Sequence, residues 1–294
     1  FIAYSCFRSQ NGVEPKVRMT IAHHQASRAQ CRPIAEDDLE GVADLLTRGF
    51  PRTRRDYWMR GFARWKMLPA VAGMPRYGYL LDTGFGPVGA ILMISSRRDD
   101  HVVSNLCGWH VDPHWQSHST LLISLATKSK QVTYLNASPA PQTWRMLQSH
   151  GFSPYNFGRT VVFTLPGRGH VSRDIPAGLA EAQLLRDHRA MGWISLTVEK
   201  DGIVSPFVLR PRRLEKAGVP VMDVMFCRGA EDLNRCAPAL ARHFLPRGSL
   251  GFLIDGDMET LLSHYVEGRE PRYFKGPHRP ILGDLAYTEK AIFG

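Results

Sequence analysis

Val102-Val-Ser-Asn-Leu-Cys-Gly-Trp-His-Val111 runs into Asp112-Pro113-His-Trp115-Gln116-Ser-His-Ser119-Thr-Leu121. The first part is apolar and β-branched enough for a strand, and Pro113 stops it. Leu121, Leu122 and Leu125 then recur at helical spacing. A strand that ends against a helix start presents unpaired N–H donors and the positive end of a helix dipole. Downstream, Gln131 to Asn136 is a strand of apolar and β-branched residues. Thr143 to His150 is a helix closed by Gly151, and Phe157 to Leu165 completes the sheet. Upstream, Gly78 to Asp82 and Val88 to Ser95 are strands joined by the turn Thr83-Gly-Phe-Gly-Pro87. Arg55 to Met67 is a helix. A further helix opens at Glu36-Asp-Asp38 and carries Leu39, Val42, Leu45, Leu46 and Phe50 as one apolar stripe. Cys31 to Ile34 is a short strand.

The whole chain has 294 residues, 44% hydrophobic and 22% charged, which excludes wholesale disorder and allows one large or two ordinary domains. No uncharged apolar run approaches a membrane span. A formal net charge of +10 favours an anionic partner, such as a phosphorylated cofactor, nucleic acid or an acidic surface. Five cysteines, odd in number and without Cys-x-x-Cys spacing, suit free thiols in a reducing compartment, and a cytoplasmic location is expected. Residues 1–30 lack periodicity and are expected to be a poorly ordered extension. Phe1 to Phe7 is too short and polar for a signal peptide, and Met19 is the first methionine.

The Pro/Gly-rich stretch Pro166-Gly-Arg-Gly169 reads as the start of a linker, 167–175. Beyond it the order of elements repeats. Leu179 to Ala190 is helical, Trp193 to Glu199 a strand, Lys200-Asp-Gly202 a turn, and Ile203 to Leu209 the return strand. Val219 to Cys227 is a strand, Glu231 to Phe244 a helix, Leu250 to Asp255 a strand and Glu259 to Val266 a short helix. The fold class is therefore α/β. Two units are expected, residues 31–166 and 176–294, each a mixed, mainly antiparallel sheet flanked by helices.

The first unit resembles the GNAT acyltransferase superfamily. The residues that carry the likeness are Arg32-Pro33 with Asp37 or Asp38, Val42, Leu45 and Phe50, then Gly86-Pro-Val-Gly-Ala-Ile91. Val111-Asp-Pro113 with Trp115-Gln116, Asn136, and Gly151-Phe152 extend it. The resemblance implies an acyl-CoA cleft between splayed fourth and fifth strands, with pyrophosphate on the amides at the following helix start. The implied cofactor contacts are Val111, Gln116, Ser117, His118, Ser119 and Thr120. The family pattern there, Arg/Gln-x-x-Gly-x-Gly/Ala, reads Gln116-Ser-His-Ser119-Thr-Leu121 in this chain, so both glycines are replaced. Leu147 stands where many members carry the tyrosine that protonates the departing thiolate. The second unit resembles a further GNAT-like unit in element order. Glu231 and Asp232 at its helix start would compete with pyrophosphate, which favours the first unit as the acyl-CoA binder.

The resemblance implies acetyl-CoA or another acyl-CoA as substrate and an amine of a small molecule or peptide as acceptor. The acceptor is expected between the halves or under the Arg55–Met67 helix. Candidate catalytic residues are His110, Cys107 and Asn136. His110 has a suitable pKa for a base, or else is a partly buried structural histidine. Cys107 is an acyl-carrying nucleophile or small core filler. Strict alternation puts His110 on the face opposite Cys107 and Asn105, unless a bulge intervenes. His110, His114 and His118 are four apart, but Pro113 breaks the helix that would align them, so no metal is expected. Arg52, Arg54, Arg55, Arg60, Arg64 and Lys66 interleave with Tyr57, Trp58, Phe62 and Trp65. That run reads either as a nucleic-acid or membrane contact or, preferred here, as a helix with aromatics on the sheet and arginines in solvent. Asp284, Tyr287 and Glu289 could line a pocket or belong to a closing strand. The rival to the enzyme is a non-catalytic scaffold whose CoA site has decayed.

Overall fold

The computed structural model describes residues 29–98, 100–214, 217–256 and 263–294. The first run of elements is β1 (Gln30–Pro33), α1 (Leu39–Gly49), α2 (Arg55–Lys66), β2 (Gly78–Asp82), β3 (Pro87–Arg98) and β4 (His101–Val111). It continues with α3 (Ser119–Ala126), β5 (Val132–Asn136), α4 (Trp144–Ser149) and β6 (Ser153–Val162). The second run is β7 (His170–Ser172), α5 (Ala182–Ala190), β8 (Ile194–Lys200), β9 (Ile203–Arg213), β10 (Pro220–Phe226), α6 (Ala230–Phe244) and β11 (Phe252–Asp255). It ends with β12 (Ser263–Lys275) and α7 (Glu289–Ile292). No helix among the described residues is long and apolar enough to cross a membrane.

The twelve strands of the described residues form one sheet, in the order β1-β2-β3-β4-β5-β12-β6-β11-β10-β9-β8-β7. The last strand, β12, lies between β5 and β6, and β6 in turn pairs with β11. Strands from the two halves of the chain therefore interleave at the centre. Among the described residues only β4–β5 and β10–β11 are parallel pairs, and every other pairing is antiparallel.

Four helices share one face of the sheet. Leu39, Val42, Leu45 and Leu46 of α1 and Trp58, Phe62 and Trp65 of α2 pack on Leu92, Ile94 and Cys107. α5 packs through Leu184 and Leu185 on Val208 and Met225, and Trp193 and Tyr287 join the two clusters. Phe293, just past α7, fits among Trp58, Phe62 and Trp65. α3 and α4 cover the other face of the first run, and α6 covers it in the second. Each fully buried aliphatic or aromatic side chain here contributes about 1.5–3 kcal/mol. The basic residues of α2 are largely engaged within the molecule. Arg55 pairs with Glu40 and Asp44, Lys66 with Glu36, and Arg64 donates to the carbonyls of Ile292 and Gly294.

Two segments differ from their reading in the sequence. Ser263 to Val266, expected at the end of a helix, are the start of β12, and residues 257–262 lie outside the described residues. Antiparallel pairing with β6, from Ser263–Val162 to Val266–Arg159, overrides a helical preference spread over so few residues. Residues 170–172, within the stretch read as a linker, form the edge strand β7, and Val171 packs against the α6 cluster. The expected extension, residues 1–28, also lies outside the described residues.

Candidate active site at the β4–β5 seam

The parallel register of β4 and β5 runs from Val102–Val132 to Asn105–Leu135. β5 ends one residue later, at Asn136, while β4 runs on to Val111. On its other side β4 holds to β3, but Ala90 faces His110 while Leu92 faces Cys107, which is a β-bulge. Gly108 supplies it, at φ 52°. A Cβ there would lie 2.9 Å from the Leu92 side chain, so the bulge needs glycine. The extra residue shifts the alternation. His110, Cys107 and Asn105 all point to the α1/α2 face, correcting the strict-alternation reading.

His110 stands at the open end of this face. Its Nε2 is 3.2 Å from Asp112 Oδ1, and its ring meets Phe50 edge-on at 6.3 Å. A Cβ on Gly49 would fall 2.2 Å from the ring, so α1 ends in glycine where His110 packs. Cys107 is buried in the α1/α2 core. Burial, with the Glu289 carboxylate adding, raises its thiol well above the usual range, so it remains a neutral thiol rather than an acyl-accepting thiolate. Asn136 ends β5, buried, opposite Tyr273 of β12.

Beyond Val111 the chain makes a 3-10 turn, Pro113–His118, that passes directly into α3. The Ser119 amide is bonded to the Gln116 carbonyl. Gln116, Ser117 and Thr120 are exposed, and His118 and Ser119 half-buried. Ser117 Oγ lies 3.2 Å from His118 Nδ1. His114 and His118 both lie against Trp115, while His110 pairs with Asp112. No group of three or more His, Cys, Asp or Glu side chains suited to a metal occurs among the described residues.

The tail supplies what the motifs do not. Glu289, at the start of α7, accepts a hydrogen bond from Asn105 Nδ2 at 2.6 Å and one from Ser138 Oγ. Asn105 belongs to β4 and Ser138 lies just past β5, so this carboxylate bridges the two strands where they part. Tyr57 of α2 lies close to the same charges. Burial first, then Glu289 and Cys107, push its phenol up to about 12. Neighbouring Lys290 is lowered to about 7 by burial and by Arg272.

A cavity of about 1130 Å³ adjoins the seam, between the two runs of the chain. Its floor includes Ser96, Arg98, Val103, Thr133 and Leu135. Val103 and Leu135 continue the face that carries Asn105. Its walls are internally paired: Arg98 with Asp284 at 2.8 Å, Tyr287 with Asp187 at 2.6 Å, and Arg228 with Glu181 at 2.7 Å. Asp284 and Tyr287 thus line a pocket, and the closing-strand alternative reduces to one isolated bridge between Phe226 and Asp284. Arg98, Glu181, Asp187 and Arg228 escaped sequence reasoning because they come from distant segments with no shared motif.

No family profile and no curated protein matches this chain. Solved structures match its fold. A GCN5-related N-acetyltransferase from Anabaena variabilis superposes with a TM-score of 0.55 at 7% identity, over 84% of this chain and 72% of that one. A GCN5-related N-acetyltransferase from Kribbella flavida gives 0.50 at 11% identity, over 84% and 70%. A glucosamine N-acetyltransferase region of a fungal multi-domain β-N-acetylglucosaminidase gives 0.53 at 12% identity, over 84% of this chain and 38% of that one. The fold is the GNAT fold. On this fold, Leu147 is wholly buried in the core that α3 and α4 share. The bulged β4, the end of β5 beside it and the tail carboxylate across them remain.

Proposed function

We propose that this protein is an acyl-CoA-dependent N-acyltransferase, with acetyl-CoA as the first donor to test. The observation that carries the reading is the parallel β4–β5 pair, whose pairing ends at Asn105–Leu135 while β4 runs on, with Asn105, Cys107 and His110 aligned on one face of β4. Acyl-CoA lies between the strands beyond that point, its pyrophosphate near Gln116, Ser117, His118, Ser119 and Thr120 at the start of α3. The backbone around Val111 orients the thioester and polarises its carbonyl. The amine attacks directly in a ternary complex, forming C–N and expelling the CoA thiolate. Cys107, buried and held as a neutral thiol, is not the nucleophile in this scheme. His110, backed by Asp112, or a water it holds, takes the proton that nitrogen sheds on attack. Asn136 borders that space from the β5 side.

The same reading divides the chain into two GNAT-like units, 31–166 and 176–294, which exchange their last strands. β12 completes the first beside β5, and β6 completes the second beside β11. The acceptor is an amine of a small molecule or peptide, entering between the units. The buried free thiols Cys107, Cys227 and Cys236 suit the cytoplasm.

The test is turnover and binding of His110→Ala. Thiol release from acetyl-CoA with an amine panel should fall roughly a hundredfold, with acetyl-CoA affinity nearly intact. Normal turnover removes His110 from the mechanism. A second reading, a scaffold with a decayed site, is favoured by the bonded Ser119 amide and by the residues Ser119, Leu121 and Leu147. Absence of both acetyl-CoA binding and thiol release would select it.

A further inference from the structure

The cavity of about 1130 Å³ between the two runs of the chain is charged unevenly. Its lining includes three carboxylates, and each is already engaged by two donors. Glu181 accepts both of its bonds from Arg228, at 2.7 and 2.8 Å. Asp284 Oδ1 accepts from Arg98 Nη2 at 2.8 Å and from the Ala286 amide at 3.2 Å. Asp187 accepts from the Tyr287 hydroxyl at 2.6 Å and from Gln183 Nε2 at 2.7 Å. Four guanidinium groups share the same lining: Arg97, Arg98, Arg228 and Arg279. Arg97 and Arg279 are exposed, and among the described residues neither has a hydrogen bond or an ion pair. Apart from two imidazoles, the lining therefore carries one positive charge in excess, and its unused groups are donors.

The fold gathers these cations. Arg98, at the end of β3, faces His101 at the start of β4. The His101 ring stacks on the ring of His278, with centroids 4.1 Å apart, and Arg279 is the next residue. Arg97, Arg98 and Arg279 thus come to one part of the lining. Much of the remainder is apolar: Leu68, Pro69 and Val71 just past α2, Val103 and Leu135 on the sheet, and Ile281. Ile281 is 57% exposed, so this apolar wall is reached from solvent. A guanidinium donates and never accepts, and its planar fork matches a carboxylate. A small inorganic anion would occupy little of such a volume, which is nearer to the roughly 300–1,000 Å³ of pockets that hold larger organic ligands.

We infer that this cavity is a binding site for an amphipathic carboxylate, with its head on Arg97 and Arg279 and its apolar body against Val71, Val103, Leu135 and Ile281. The site does not rest on the acyltransferase reading, because neither His110 nor any residue from Val111 to Thr120 lines the cavity. One carboxylate balances the single excess charge, whereas a phosphate monoester, at about −1.5 to −2, exceeds it. A cationic ligand would have to displace Arg228, Arg98 or Tyr287 from the lining carboxylates. A neutral ligand of the same shape keeps the apolar contact and leaves both free guanidinium groups unused. A free medium-chain acid and the C-terminal carboxylate of an apolar peptide both present the required chemistry.

The experiment titrates octanoate, 1-octanol and octylammonium, by ligand-observed NMR without CoA, into wild type and the double variant Arg97→Ala, Arg279→Ala. Octanoate should bind the wild type at least about tenfold more tightly than octanol or octylammonium. The double variant should lose that advantage, its octanoate Kd rising at least about tenfold while its octanol Kd stays unchanged. Both replaced side chains are exposed and unbonded, so the variant should melt with the wild type. If it melts early, Ile281→Glu, which sets a like charge in the apolar wall, should abolish octanoate binding instead. N-acetyl-dileucine, titrated beside octanoate, tells the two sources apart: the tighter ligand names the source. Equal binding of octanoate and octanol, no binding of either acid, or an octanoate Kd unchanged in the variants overturns the site. Acetyl-CoA is titrated separately, and its failure to bind would overturn the acyltransferase reading while leaving this one standing.

Discussion

The two parallel strand pairs among the described residues differ in their electrostatics. β4 leaves β5 after Asn105–Leu135, and β10 leaves β11 after Asp223–Leu253. The last paired residue on the long strand is an amide in one and a carboxylate in the other. Asn105 keeps an unsatisfied oxygen and touches one tail carboxylate. Asp223 is filled from three sides by Arg159, Arg210 and Arg212, while Asp255 beside it takes Arg159 and Arg272. α7 stands between them. Its Glu289 serves the first seam, and the carbonyl of its Lys290 accepts from Arg210 of the second. One seam keeps an unpaired buried oxygen, and the other is filled by an ion-pair network.

The filled seam should show the largest single effect on stability. Asp223 is 1% exposed at its side chain, and removing it takes away the buried carboxylate that Arg159 and Arg210 share. Asp223→Ala should destabilise by about 3–5 kcal/mol, read by urea unfolding. A loss below about 1 kcal/mol would mean that this seam is not held by its charges. Burial raises the Asp223 pKa, but Arg159, Arg210 and Arg212 together outweigh burial and hold it below the ordinary carboxylate value. A carboxylate depressed in the folded state contributes stability that is present above its unfolded pKa of about 3.9 and lost as pH falls through the folded value. Wild-type stability should therefore decline below about pH 4, and Asp223→Asn should flatten that part of the decline.

A smaller effect is expected at the β4–β5 seam. Gly108→Ala forces a Cβ into the left-handed region, at about 1–2 kcal/mol, and against Leu92. It should also cut turnover, because the bulge is what keeps His110 with Cys107 and Asn105. Full activity with intact stability would show that the bulge does not set the site.

How much of this was legible beforehand follows from where the information lies. The apolar stripe of α1, the proline stop after β4 and the glycine after α4 are local signals, and each marks its element in the sequence. The facing of His110 is not local in the same way. One glycine among ten strand residues reverses it, and glycine in a strand can mean a bulge or nothing. β12 was misread because its identity comes from pairing with β6, roughly a hundred residues earlier in the chain. The Glu289–Asn105 contact spans 184 positions, so only the fold could join a tail carboxylate to the fourth strand. The α3 start was visible as a motif, but the bond that occupies the Ser119 amide was not.

The central claim is that acyl-CoA enters the β4–β5 seam and not the β10–β11 seam. A carboxylate at the right helix start should repel its phosphates and compete for the amides. The direct measurement is calorimetric titration of acetyl-CoA into wild type, Ser119→Asp at the start of α3, and Ala230→Asp at the start of α6. The account predicts one site in wild type, lost in Ser119→Asp and retained in Ala230→Asp. Binding that survives Ser119→Asp and disappears in Ala230→Asp would contradict it.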